Sequence, residues 1–316
     1  MSVFVAALLL PSLFWDKGPE TVNLLRQARI IHISTSAGMA ESWKTVPGIS
    51  VDIVDPKQLI RVLTPAAIFH AEEASATRAP WVNSNGWKFL RQPEGRFYYE
   101  APGPAAPLAA AEAFTYSANA VIHTDAAGVE PFGKMLAFLK QVGSEDFPAL
   151  VNIGFVDDGS PQSGEFMNLL VRRNLLFRVV KNPDPKLDLT VKLGSPQYPR
   201  LEAGNPSLLA EKVRGNLTDK KRLFRLYGSE VVVGRLVGDG KRTRLYLLNY
   251  AAARSPVQGI RIRILGIYSK QDIVEYDRPN ARLLDVSAAS GATEFTVPEL
   301  KVFGVINLSR DSLHEK

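Results

Sequence analysis

Between Glu20 and Gly228 the apolar positions switch repeatedly between helical and extended spacing. TVNLLRQA reads as a helix ahead of the strand RIIHIS, and VDIVD (Val51 to Asp55) as a short strand followed by Pro56 and the helical-looking KQLIRVL. AAIFHAEE is a third strand candidate, RFYYE (Arg96 to Glu100) a fourth and ANAVIHTD a fifth. The last two lead into PLAAAEAFTYSA and GVEPFGKMLAFLKQV, where alanine content and the recurrence of Phe132, Met135, Leu136 and Leu139 predict helices. ALVNIGFVDD, SGEFMNLLVRRN, LLFRVV, LDLTVKL, SLLAEKVRGNL and RLFRLYG prolong the alternation. Repeated units of this kind imply a mostly parallel sheet covered by helices, open or barrel-like. The strands before Pro148 are too few for an eight-fold barrel, so a partial or permuted barrel-like region is expected beside a flavodoxin-like one.

At Glu230 the pattern changes to period two. EVVVGRLV and KRTRLYLLNY flank a Gly-Asp-Gly turn as in a hairpin, and PVQGIRIRILG places Arg261 and Arg263 on the face opposite its isoleucines. DIVEYD, ARLLDVS, ATEFTVP and KVFGVINLS follow with turn residues between them, which predicts an antiparallel β-sandwich. The expected fold class is therefore α/β followed by all-β.

The 316 residues are 46% hydrophobic, enough for two or three packed units. The net charge of +6 is scattered, without the basic stripe and interleaved aromatics of a nucleic-acid footprint, so no nucleic-acid partner is expected. With no cysteine, disulfides, thiolate metal sites and a cysteine nucleophile are excluded. The run SVFVAALLLPSLFW (Ser2 to Trp15) has the length of a signal-peptide core but lacks a basic flank and a clear cleavage site. It reads as a degenerate or start-trimmed export signal, which implies a periplasmic or secreted protein, or else as a packed N-terminal element of a cytoplasmic one. No stretch is long and apolar enough for a membrane span.

LVNIGFVDDGSPQSGEFMNLLVRRNLLFRVV (Leu150 to Val180) and LDLTVKLG resemble class I glutamine amidotransferases without their cysteine. LYLLNYAAARSPVQGIRIRILG and TEFTVPELKVFGVINL resemble the terminal sandwich domains of sugar-cleaving enzymes. An α/β barrel region, an amidotransferase-like unit and a small sandwich, in this order, is similar to the build of several bacterial glycoside hydrolase families, including certain β-galactosidases. With the pattern of elements, the expected division is a candidate signal peptide at 1–19, a barrel-like region at 20–147, an amidotransferase-like region at 148–229, a sandwich at 230–310 and a tail at 311–316. The resemblance implies a protein that binds or hydrolyses a glycan, or a non-catalytic scaffold retaining the fold. It supplies no catalytic pair, because the region before Pro148 is much shorter than a full barrel.

In parallel α/β folds, functional groups collect at the C-terminal ends of strands. Asp55, Glu72 with Glu73, Glu100, Asp125, and Asp157 with Asp158 end predicted strands, and glycoside hydrolysis needs one protonated and one ionised carboxyl group. Asp125, Asp157 and Asp158 are the acid/base candidates, although aspartate after a strand is also the common cap of the next helix. ATRAPWVNSNGWKFLR (Ala76 to Arg91) mixes aromatic faces with directed polar groups, so Arg78, Trp81, Asn83, Asn85 and Trp87, with Tyr99 nearby, are candidate sugar contacts. The same residues also suit a packed turn. Phosphate-loop, dinucleotide, nucleophile-elbow and zinc-protease motifs are absent, and the four histidines are far apart in sequence, so neither cofactor nor metal is implied.

Overall fold

The computed structural model describes residues 10–69, 80–143 and 147–310. The chain forms two compact units, Met1–Ala66 with Gln92–Asp146, and Ala67–Arg91 with Phe147–Lys316.

The first unit is built on a six-stranded sheet in the spatial order Ser50–Ile53, His32–Thr35, Ser12–Phe14, Asn119–His123, Arg96–Glu100, Ile60–Val62. All five pairings are parallel. Sequence neighbours are sheet neighbours, and the first strand pairs with the last. The order is therefore cyclic, interrupted only between the third strand and the fourth. Strand Ser12–Phe14 holds the middle of the sheet although only three residues long; a chain cut after Pro19 would lack it.

Parallel register puts Leu13, Ile33, Phe97, Tyr99, Ala120 and Ile122 on one face, where all are at most 3% exposed. Helices Val22–Gln27, Ala37–Lys44, Ala106–Thr115 and Ala126–Val142 belong to this unit. Every residue of Ala106–Thr115 is buried, as expected of a helix that is alanine-rich all round. Within it Glu112 is satisfied by the Tyr99 hydroxyl, which donates to Oε2 at 2.7 Å. The opposite face carries Ser12, His32, Ser34, Asp52, Arg61, Arg96, Glu100, Asn119 and His123, interrupted by Phe14, Tyr98 and Val121, which pack with Val54 and Leu59.

One expected helix is not formed. KQLIRVL is a 3-10 turn, Pro56–Gln58, followed by the strand Ile60–Val62. Pairing with Arg96–Glu100 overrides the helical spacing, because the strand gains a hydrogen-bonded neighbour that an isolated short helix would lack.

The second unit combines a three-stranded parallel sheet, ordered Phe177–Val180, Ile153–Val156, Leu189–Lys192, with a sandwich of two four-stranded antiparallel sheets. One sandwich sheet runs Phe224–Tyr227, Val257–Leu265, Ala292–Leu300, Leu284–Ala289, and the other Val232–Gly238, Arg242–Asn249, Phe303–Ser309, Lys270–Glu275. RLFRLYG, which continues the α/β alternation in the sequence, is thus a sandwich strand: Phe224 and Leu226 face the sandwich core and the strand pairs antiparallel with Val257–Leu265. Ile260, Ile262 and Ile264 are fully buried, while Arg261 and Arg263 lie on the other face and pair with Glu294. Side-chain amides tie the parts of this unit together. Asn174 donates to Val232 O and accepts from Gly234 N, and fully buried Asn249 donates to Ser255 O, Leu300 O and Lys301 O while accepting from Ala251 N.

In the first unit, helix Ala126–Val142 meets helix Val22–Gln27 at Gly133, where an added Cβ would lie 2.2 Å from the Ala28 carbonyl oxygen. We expect Gly133→Ala to destabilise the protein by about 1–3 kcal/mol, the overpacking cost exceeding the roughly 1 kcal/mol gained in helix propensity. A urea unfolding curve with a lower midpoint and unchanged slope is the expected result.

Candidate functional site

The last residues of the first unit's strands gather chemistry on the polar face. His123 and Glu100 are lateral neighbours in the register, and His123 Nδ1 lies 2.8 Å from Glu100 Oε1. On the other side of the ring, His123 Nε2 is 3.5 Å from Asp16 Oδ2. One imidazole therefore stands between two carboxyl groups; a neutral ring donates to one of them and an imidazolium to both. Arg61 approaches Glu100 Oε2 at 3.9 Å and lies over the Tyr98 ring, 5.4 Å from its centroid. Tyr98 stacks on His123 with 19° between planes, and Phe14 meets both rings edge-on. Burial, with the nearby Glu100 carboxylate, pushes the Tyr98 hydroxyl up to about 12, so it remains protonated throughout the neutral range.

The rim is held from below. Thr35 donates its hydroxyl to Trp15 O at 2.7 Å, and Trp43 donates its indole N–H to Lys17 O at 2.9 Å, which fixes the backbone on either side of Asp16. Thr64 Oγ1 donates to Glu100 O, and Ala101 N to His123 O. The acidic side chains themselves stay accessible: Glu100 is 60% exposed and Asp16 51%.

Of the carboxylates at predicted strand ends, Asp55, Glu100 and Asp125 end strands of this sheet, whereas Asp157 and Asp158 follow Ile153–Val156 in the second unit. Asp55 accepts from Lys57 N. Asp125 accepts from Gly128 N at 3.0 Å and Gly103 N at 3.4 Å, capping helix Ala126–Val142 and pinning the preceding turn. Asp157 is held in a bidentate pair by Arg91, Nε to Oδ2 and Nη2 to Oδ1 both at 2.7 Å, and also accepts from Gly159 N. The Arg91 hydrogen bond holds its pKa below the ordinary carboxylate range, against the opposing effect of burial. For Asp158 burial acts upward, but hydrogen bonds from Ser163, Ser160 and Arg200 outweigh it and leave the carboxyl well below its usual value.

The tryptophan-rich stretch forms strand Trp81–Asn83 and helix Gly86–Arg91. Trp81 is 37% exposed and carries the Arg172 guanidinium 3.8 Å from its ring centroid. Asn83 is half-buried, Asn85 is fully buried, and Trp87 packs on Gly164, where a methyl group would meet its ring at 2.9 Å. Tyr99 is buried in the first unit against Glu112. Arg78, with His70, Glu72 and Glu73, lies outside the described residues. Asp16, Arg61 and His123 are absent from the sequence-derived set. Asp16 ends the apolar run that reads as an export signal, and His123 carries no local motif. Their signal is the strand-end position itself, which becomes visible once Ser12–Phe14 is recognised as a strand. Among the described residues, no group of three or more histidine and acidic side chains is placed to hold a metal ion, and no helix is long and apolar enough to cross a membrane.

No protein-family model and no curated protein matches the chain. Solved structures do. An alpha-L-fucosidase isoenzyme 2 from Paenibacillus thiaminolyticus is similar over 93% of this chain and 72% of its own, with TM-score 0.56 and 9% identity. The two chains share a fold. A rhamnosidase from Novosphingobium sp. PP1Y (TM-score 0.48, 10% identity, 94% of this chain and 38% of that one) and a beta-galactosidase from G. stearothermophilus (TM-score 0.41, 6% identity, 85% and 65%) are further neighbours. The chain spans well under half of the rhamnosidase. At these identities the likeness is one of fold: a parallel α/β region followed by antiparallel sheets.

The Arg91–Asp157 pair makes a prediction. Both side chains are at least 84% buried, so removing one partner leaves an uncompensated charge. Asp157→Asn should cost about 2–4 kcal/mol at neutral pH. Because the folded-state pKa is depressed, the carboxylate's contribution is present above the unfolded value of roughly 4 and lost as pH falls through the folded value. Unfolding curves for the parent and Asp157→Asn proteins should therefore converge as acidification carries the medium through that folded value.

Proposed function

We propose that this is a carbohydrate-active protein whose ligand site is the C-terminal rim of the six-stranded sheet, with Glu100 and Asp16 as its acidic pair. The carrying observation is the Asp16–His123–Glu100 array: two exposed carboxyl groups face each other across one imidazole at the strand ends. A separation spanned by a single ring suits the roughly 5–9.5 Å used to protonate a glycosidic oxygen on one side and to attack or activate water on the other. The exposed Arg61 adds a donor for sugar oxygens, while the buried Phe14 and Tyr98 rings support the imidazole from below. The glycoside-hydrolase-like fold supports the reading, and the cyclic strand order is consistent with a barrel reduced to six strands and opened. In the same reading the three-stranded sheet of the second unit corresponds to a reduced amidotransferase-like part, and the sandwich to a terminal accessory domain.

A second reading, a non-catalytic scaffold that binds a glycan without cleaving it, is favoured by the carboxylates that are fully engaged. Asp125 caps a helix, and Asp157 and Asp158 are locked by arginines and backbone amides.

Reducing-end release and binding should be measured over a broad panel of oligosaccharides, with Glu100→Gln and Asp16→Asn alongside. We expect a ligand from the panel to bind, and both variants to weaken that binding while remaining folded. If the pair acts in hydrolysis, Glu100→Gln lowers turnover by about 100-fold or more. Binding without release supports the scaffold. Neither binding nor release, or binding that both variants leave unchanged, rules out this rim as a glycan site.

A further inference from the structure

The opposite ends of the same strands enclose a cavity of about 450 Å3, within the size range of small-molecule pockets. It is separate from the acidic rim. His32, Arg96 and Asn119, the first residues of their strands, line it, and on the His123 strand its nearest lining residue, Val121, stands two positions from His123, or roughly 7 Å.

Its chemistry is cationic. Arg29, Arg96 and Lys140 contribute three formal positive charges, and Asp52 one negative charge. That carboxylate is already engaged, with Oδ2 3.1 Å from His32 Nε2, while His32 Nδ1 meets Ser50 Oγ at 2.9 Å. Arg29, Arg96 and Lys140 form no ion pair with the described residues. Deeper in the cavity the hydroxyls of Ser12 and of Ser34, itself 2% exposed, lie 2.9 Å apart. Two hydroxyls bonded to each other retain acceptor and donor capacity for a third partner. Val54, Val121 and Leu136 complete the wall with apolar surface.

The three cationic side chains come from separate elements and are exposed at the cavity, so an anion seated in it would be attracted by each of them. Two guanidinium groups offer planar paired donors, which suit phosphate oxygens, and an ammonium adds a point charge. The surplus of two positive charges matches a phosphate dianion, and the remaining volume and apolar wall leave room for an organic moiety. We propose that this cavity binds a small phosphorylated organic molecule, at a site independent of the glycan rim.

The test is calorimetric titration of the full chain with glucose 6-phosphate, inorganic phosphate and glucose as probes, at low and moderate salt. Glucose 6-phosphate should bind and weaken with salt, inorganic phosphate should bind less tightly, and glucose should not bind at this site. Arg96→Gln and Lys140→Gln should each reduce glucose 6-phosphate affinity at least fivefold, with thermal midpoints showing that both variants fold. Glu100→Gln should leave that affinity unchanged, which separates the cavity from the rim. Absence of binding by both phosphate probes at millimolar concentration would overturn the proposal, as would undiminished affinity in the Arg96→Gln/Lys140→Gln double variant. Binding of inorganic phosphate with exclusion of glucose 6-phosphate would overturn the organic ligand.

Discussion

The first unit depends on the parallel pairing of Ser12–Phe14 with Asn119–His123. The two strands lie more than a hundred residues apart in the chain, so their union closes a long loop, and its entropic cost must be met by what the contact buries. Leu13 and Ile122 meet on the helix-covered face, both fully buried, and Phe14, Tyr98 and Val121 join on the other. The same pairing brings Asp16 beside His123. Fold closure and the assembly of the acidic rim are therefore one event, and anything that loosens the short central strand also separates the charged groups.

Why Glu100 remains available while Asp125 does not follows from the residues after each. Asp125 precedes helix Ala126–Val142, whose first amides have no intrahelical acceptor, and the carboxylate satisfies Gly128 N. Glu100 precedes Ala101 and Pro102. The proline has no N–H, Ala101 N is committed to His123 O, and Gly103 N turns to Asp125. With the following amides absent or committed elsewhere, the Glu100 carboxylate points to the imidazole and to solvent. Arg61 at 3.9 Å and 70% exposure is a weak partner that water or a ligand hydroxyl can replace.

Much of the architecture was legible in the sequence. RIIHIS, RFYYE and ANAVIHTD announce strands through β-branched and aromatic residues bounded by turn formers, and the alternation of isoleucine with Arg261 and Arg263 announces a sandwich strand with one buried face. KQLIRVL was misleading because its apolar spacing fits a helix, while the deciding term is pairing with a strand more than thirty residues away. The central strand was hidden inside SVFVAALLLPSLFW, a run whose apolarity is equally suited to export and to burial. Site chemistry was less legible still. Glu100 was visible as a strand-end carboxylate, but nothing local to Asp16 or His123 says that they meet. The aromatic and amide content of Trp81 to Arg91 is indistinguishable, by composition, from the packing role that Asn85 and Trp87 have here.

The interruption in the cyclic strand order leaves two edges on the six-stranded sheet. A strand order closed on itself has no unpaired edge, whereas among the described residues Ser50–Ile53 and Ile60–Val62 each have a strand partner on one side alone. Asp52 and Arg61, both exposed, put one charge on each of these border strands. Charged side chains on an edge disfavour the addition of a further strand, so the break in the order is guarded against edge-to-edge association.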